Sequence, residues 1–180
     1  MYSRVTSKAK PFEQVDLDKL TQEVVSDLEV RIQETGGHVE ISGLPTVNAD
    51  PLQMRQLFQN LIGNALKFHK EGTAPAVKLS AVPDNGINAE RGAHVESAHY
   101  QIICEDNGIG FENQYKDRIF GVFQRLHGRQ EYEGSGIGLS VCKKIVERHG
   151  GKIEAESSPG EGTKFIIDLP GKQGEVKHYD

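Results

Sequence analysis

The chain has 180 residues, of which 36% are hydrophobic and 26% charged, and a formal net charge of −5. That size and mix suit one compact globular domain able to bury roughly two-thirds or more of its unfolded surface. The acidic balance argues against nucleic acid or anionic lipid as partner of the whole surface. No apolar run approaches the ~20 residues of a membrane span, and no apolar signal-peptide core opens the chain.

Residues 1–11 are polar and basic and read as a linker, or as the end of something upstream. From Phe12 the chain leads into a helix on which Leu20, Val24, Leu28 and Ile32 recur every four residues, widened by Val25. Asp16 is its expected cap and Gly36-Gly37 its end. Val39-Glu40-Ile41 alternates like a short strand, and residues 44–49 leave room for a second. Asp50 as N-cap and Pro51 at the first helical position open the next helix. Its apolar residues Met54, Leu57, Phe58, Leu61, Ile62, Ala65 and Leu66 repeat at three and four, and Glu71-Gly72 is its expected stop. Residues 77–82 read as a strand, 83–97 as a long polar loop, and 100–104 as a strand running into Glu105-Asp106-Asn107-Gly108.

Residues 119–123 form a compact apolar knot, in which Phe120 and Phe123 read more readily as core than as ligand contacts. Residues 128–134 are polar. A helix follows over 137–148, carrying Leu139, Val141, Cys142, Ile145 and Val146 inward and closed by Gly150-Gly151. Residues 152–156 and 164–169 read as a hairpin, and 171–180 as a polar tail. The order of elements predicts an α/β layer fold with helices on one face of a mixed sheet. Cys104 and Cys142 lack a Cys-x-x-Cys partner and read as buried thiols in a reducing compartment. His69, His127 and His149 read as surface side chains, since no pair of them has metal spacing.

Three segments carry chemistry. Asp106-Asn107-Gly108-Ile109-Gly110-Phe111 ends a strand, and Gly134-Ser135-Gly136-Ile137-Gly138-Leu139 opens a helix. Glycines before a helix N-terminus bare backbone N–H groups and a positive dipole end, which suits phosphate. Taken alone, such a cluster is as readily a turn. A Rossmann reading fails because the motif comes late in the chain. A Walker loop would need Gly-Lys-Ser/Thr, and the protein-kinase elements are missing. The third segment sets Asn60, Asn64 and Lys67 at i, i+4 and i+7, on one helical stripe. Two carboxamides and an ammonium suit a hydrated Mg²⁺ and phosphate oxygens; the plain alternative is a polar helix edge.

In combination, the asparagine helix, the Asp-x-Gly-x-Gly loop, the phenylalanine knot, the second glycine box and Gly160-Glu161-Gly162-Thr163 resemble the ATP-binding catalytic domain of sensor histidine kinases. The likeness runs from about Val15 to Pro170. Residues 123–127 and 141–151 look like the phytochrome-type bacterial branch. The resemblance implies a two-layer Bergerat-type fold with a sheet of about five strands over residues 15–170. Residues 1–14 would then end a histidine-bearing dimerisation hairpin and its linker, and 171–180 would be a tail. It implies Asn64 on Mg²⁺ with Asn60 assisting, Lys67 on phosphate, Phe68 beside the adenine and Asp106 as reader of its amine. Gly108, Ile109 and Gly110 would wall the base. Gly134, Ser135, Gly136, Ile137, Gly138 and Leu139 would supply the hinge and phosphate turn, and Thr163 a hydroxyl near the adenine. Arg125 would meet the γ-phosphate from a lid over 125–133.

The same fold serves gyrase B and heat-shock ATPases, which carry a water-activating Glu where this chain has Asn60. An amide takes no proton at neutral pH, so Asn60 disfavours self-contained hydrolysis and points to an acceptor whose base lies elsewhere. The resemblance implies a histidine on the upstream hairpin as that acceptor, a cytoplasmic homodimeric parent and a response regulator downstream. The first histidine is His38, after the first helix, and no acceptor-box helix precedes it. The chain is therefore expected to bind ATP as a monomeric fragment and not to autophosphorylate alone. The alternatives are an ATPase or anti-sigma-type serine kinase of the same superfamily, or a degenerate module that only binds a partner.

Overall fold

The computed structural model describes residues 10–84, 99–122 and 136–171. Its elements in chain order are β1 (Glu13–Asp16), α1 (Leu17–Asp27), α2 (Glu29–Thr35), β2 (His38–Ser42), β3 (Thr46–Ala49), α3 (Pro51–Lys67), β4 (Ala76–Asp84), β5 (His99–Asp106), α4 (Gly138–Arg148), β6 (Lys152–Ser158) and β7 (Gly162–Pro170), with single 3₁₀ turns at Asn113–Tyr115 and Arg118–Phe120. Five strands form one mixed sheet in the order β2-β4-β5-β7-β6. Only β2 and β4 run parallel; the other neighbours are antiparallel.

Strand alternation decides which face the helices cover. Val77, Leu79, Ile102, Cys104, Ile153, Ala155, Phe165, Ile167 and Leu169 point inward and are buried. They meet the apolar stripe of α3, where Met54, Leu57, Phe58, Leu61 and Ile62 are at most 1% exposed, and that of α4, where Cys142, Ile145 and Val146 are fully buried. The opposite face mixes charged residues with the half-buried pair Ile103 and Ile166. There Lys78, Glu105, Lys164 and Glu156 lie opposite one another in register across four strands, an alternation of charge that favours this pairing. This is the expected two-layer α/β fold, and both cysteines are buried free thiols.

The caps form as the sequence predicts. Asp16 accepts from Lys19 N at 3.1 Å, and Asp50 accepts from Leu52 N and Gln53 N at 3.0 and 3.2 Å. Gly36 closes α2 in the left-handed region at φ 64°.

Three details differ. The first helix is broken at Leu28, after Ser26-Asp27, two poor helix formers, with Asp27 held by Arg55 at 2.6 Å. Residues 13–16 form a strand rather than a lead-in, paired antiparallel with β3 so that Val15 opposes Val47 and both are buried. Four residues are too few to show a period. Helix α3 stops at Lys67, short of Glu71-Gly72. The Phe68 carbonyl instead accepts from Ile109 N at 2.9 Å, a tertiary bond that local sequence does not reveal.

Candidate functional site

The site grows from the end of the sheet. Asp106 ends β5 and faces Thr163 across β7, which in turn faces Ser157 on β6. Residues directly opposite share a face, so the three side chains form one row on the helix-covered side. Asp106 Oδ1 accepts from Gly108 N at 2.8 Å and from Thr163 N at 3.2 Å. Among the described residues nothing donates to Oδ2. Burial pushes the Asp106 carboxyl above its ordinary range, against the two backbone N–H groups that pull it down. The charged form is thus held at a cost, as in a group that awaits a donor.

The loop after Asp106 is sewn to both neighbours. Phe68 O accepts from Ile109 N, and Ile109 O accepts from Gly160 N at 2.7 Å. Asn107 accepts from Ala76 N at 2.8 Å and donates to Ala74 O at 3.2 Å. Glycine is obligatory here for a reason other than closeness to a ligand. A Cβ on Gly108 would stand 2.4 Å from Phe68 O, and one on Gly110, at φ +62°, 2.1 Å from Ser158 O. The glycines let main chain approach main chain, and the loop becomes a fixed wall.

Helix α3 brings the asparagines to this wall. Phe68 N donates to Asn64 O at 2.9 Å, so Asn64 lies one turn from the residue that touches the Asp106 loop. Lys67 Nζ sits 4.8 Å from the Phe68 ring centroid. Asn60 Nδ2 donates to Gly138 O at 3.3 Å, joining the asparagine stripe to the second glycine box. Gly136 adopts φ 69°, and α4 starts at Gly138 behind Ile137 with no side chain capping it among the described residues. Asp16 and Asp50 close the N-termini of α1 and α3, whereas no described side chain caps this one, and amides at a helix start suit an anion.

The structure therefore brings together Asp106, Gly108, Ile109, Gly110, Thr163 and Phe68 on one side, and Asn60 with Gly138 on the other, linked along α3 through Asn64 and Lys67. Leu139, in the second glycine box, is partly buried and packs against the core cluster. Phe120 packs edge-on against Phe165 at 6.3 Å, as expected of a core residue. Arg125, Gly134, Ser135, Phe123, His127 and the 125–133 lid lie outside the described residues, as does nearly all of the 83–97 loop.

One histidine assignment is overturned. His149 is 2% exposed, not a surface side chain. Its ring stacks on Phe12 at 4.5 Å. Nε2 accepts from Asp50 N at 3.0 Å, and Nδ1 lies 2.6 Å from Ile145 O. These contacts are met together by the neutral Nδ1–H tautomer, and burial pushes the imidazole below its ordinary value. Beside it, Arg148 bonds Asp50 at 3.2 Å, Gln53 at 2.7 Å and the Lys10 carbonyl at 3.3 Å. Sequence reasoning missed this junction, and Ser157 as well, because neither stands in a glycine or asparagine motif.

A half-buried carboxylate at the sheet end, an asparagine-bearing helix and a glycine-rich helix start that no described side chain caps are brought together by α3 and form the candidate site of this α/β domain. The family model described as "Histidine kinase-, DNA gyrase B-, and HSP90-like ATPase" matches residues 49–173, and the chain belongs to that family. Among curated relatives it is 43% identical over 169 residues to Cyanobacterial phytochrome A of Nostoc, covering 94% of this chain and 20% of that protein. It is 38% identical to Phytochrome-like protein Cph1 of Synechocystis, covering 94% of this chain and 21% of that protein. The chain thus spans about a fifth of the length of these two relatives. Among solved structures it is similar to full-length ShkA in complex with AMPPNP, at a TM-score of 0.71 and 26% identity, covering 94% of this chain and 33% of that one. The nucleotide-free catalytic domain of histidine kinase ThkA shares the fold at a TM-score of 0.68 and 24% identity, covering 91% of this chain and all of that one.

Proposed function

We propose that the chain is the ATP-binding catalytic unit of a two-component sensor histidine kinase of the phytochrome-like branch. It would hold Mg-ATP for transfer of the γ-phosphoryl to a histidine on a dimerisation hairpin. The observation that carries this reading is Asn60. The residue facing the second glycine box is an amide committed to Gly138 O, not a carboxylate able to activate water. Asp106 supports adenine as the base, because its Oδ2 is an acceptor matched to an exocyclic amine. The start of α4, which no described side chain caps, supports phosphate beside Asn60, and Lys67 supplies positive charge. Arg125 is the γ-phosphate partner in this reading.

The donor set fits Mg²⁺ as a shared ion rather than a protein-caged one. Asn60 and Asn64 offer neutral oxygens, and the described residues contain no group of three His, Cys, Asp or Glu able to hold a metal. A magnesium ion would take its remaining oxygens from phosphates and water, and would supply charge neutralisation at the triphosphate. The domain is proposed to span 15–170, with 1–14 leading from the hairpin and 171–180 as a tail. The parent would be a cytoplasmic homodimer serving a response regulator; no helix among the described residues is long and apolar enough to cross a membrane.

The test supplies a two-helix histidine hairpin as a separate polypeptide, with γ-labelled ATP. Acid-labile label on the hairpin histidine, with little phosphate released in its absence, is the expected result. Steady phosphate release without an acceptor, or no nucleotide binding at millimolar Mg-ATP, overturns the reading.

A further inference from the structure

Ser157 lies at the end of the row that begins with Asp106, and its hydroxyl makes three contacts. It lies 2.7 Å from Gly162 O, accepts from Phe111 N at 3.0 Å, and is 3.0 Å from Thr163 Oγ1. A hydroxyl owns one proton and two acceptor positions. The Gly162 carbonyl can only accept, so the Ser157 proton is spent on it. Phe111 N–H fills one acceptor position. The contact to Thr163 then has a single consistent direction: Thr163 donates to Ser157. With its own proton committed, Thr163 Oγ1 can only accept from any further partner.

The same logic fixes Asp106, whose Oδ1 is occupied by Gly108 N and Thr163 N, leaving Oδ2 as an acceptor. Two neighbouring side chains at the sheet end therefore present acceptors and no donor.

We infer that Ser157 is a specificity-setting positioning residue: by consuming the Thr163 hydroxyl proton it makes the base-reading wall acceptor-only. The wall then selects a purine with an amine at position 6 over one with a carbonyl there. This rests on the proposed binding of a purine nucleoside triphosphate beside Asp106. Ser157 itself need not touch the nucleotide, because it acts through the Thr163 hydroxyl. Without Ser157 the Thr163 hydroxyl turns freely and can offer its proton to a 6-carbonyl, so discrimination weakens while the pocket keeps its shape. A site that leaves a hydrogen-bonding group unpaired against the wrong ligand is the stronger form of selectivity.

The test compares Mg-ATP with Mg-inosine triphosphate, which differ in the purine ring only at position 6 and the adjacent N1 proton, by calorimetry on the full chain. In Ser157→Ala the ATP-to-inosine preference should drop about tenfold, the equivalent of one exchanged hydrogen bond. Thr163→Val, which keeps the shape and removes the hydroxyl, should also lower the preference. In the Thr163→Val background, Ser157→Ala should change the ratio no further, because both act through one proton. Parallel loss of both affinities in Ser157→Ala would make Ser157 a structural residue only and overturn the inference, as would a Ser157→Ala effect that persists without the Thr163 hydroxyl. If Ser157→Ala does not fold, an unchanged preference in Thr163→Val overturns it alone. Failure of the unaltered chain to bind either nucleotide would instead strike the proposed function.

Discussion

Replacing Asp106 by Asn separates binding from folding. In the parent, Oδ1 is held by Gly108 N at 2.8 Å and Thr163 N at 3.2 Å. The asparagine must keep its oxygen on those two donors, since its NH₂ group there would face two N–H groups. The amide is thus locked with Nδ2 outward, where the carboxylate offered Oδ2. An acceptor for an adenine amine becomes a donor opposed to it. Loss of a hydrogen bond to a charged group is worth about 1.5–3 kcal/mol, so ATP affinity should fall about ten- to a hundredfold. Stability should move the other way. Burial raises the Asp106 carboxyl above its ordinary value, so the folded state binds more protons than the unfolded one between the two values. Its ionisation therefore lowers stability as pH rises through the folded value, and the cost persists at neutral pH. The variant should be at least as stable as the parent at pH 7, with that pH dependence removed. Calorimetric titration and urea unfolding read the two effects. A folded variant with undiminished ATP affinity would refute Asp106 as base reader, and a markedly less stable variant would refute the locked-amide geometry.

Gly162→Ala places a Cβ 1.9 Å from Asp106 O at φ +99°, whereas Gly43→Ala, at φ +61°, meets nothing within 4 Å. The first should cost roughly 3 kcal/mol or more of unfolding free energy and the second about 1 kcal/mol; equal losses in urea titrations would contradict the close approach. His149 is neutral in the fold with its imidazole lowered from 6.5. The unfolded chain therefore takes up a proton that the folded one refuses, and stability should decline as pH drops below about 6.5. His149→Phe keeps the stack on Phe12 and removes the titrating ring, so urea midpoints measured between pH 5 and 8 should show a shallower decline; an unchanged slope would reassign the effect.

The fold was legible wherever a period was long enough to count. The stripe from Met54 to Leu66 and the Asp50-Pro51 start place α3 from sequence alone, and its buried residues are those the period selects. Strand β1 was invisible, because four residues with one buried valine carry no pattern. The end of α3 was misread because Phe68 answers to Ile109, 41 positions away. The site was legible as types of residue and not as contacts. Asp106, Thr163 and the glycines stand in motifs, but the reason for Gly108 and Gly110 lies in carbonyls of distant segments. His149 looked like a surface residue because a histidine at a helix end usually is one; only Phe12 and Asp50, drawn in by tertiary packing, bury it.

Those contacts make one corner bear on both helices of the site. Asp50 caps α3, which carries Asn60 and Asn64, while Arg148 ends α4, which begins at the second glycine box, and His149 caps it. Asp50 is fully buried, accepts from Lys10 N at 2.7 Å, and is paired with Arg148. Phe12 lies against His149 on one side and 4.9 Å from the Arg148 guanidinium. A carboxylate buried this deeply is tolerable only while every donor stays in place. Displacing Lys10 and Phe12 therefore withdraws a donor from the cap of one site helix and the stacking partner from the end of the other. Residues 10–12 are thereby joined to both helices that carry the candidate site, through an ion pair and a ring stack rather than through the candidate site's own residues.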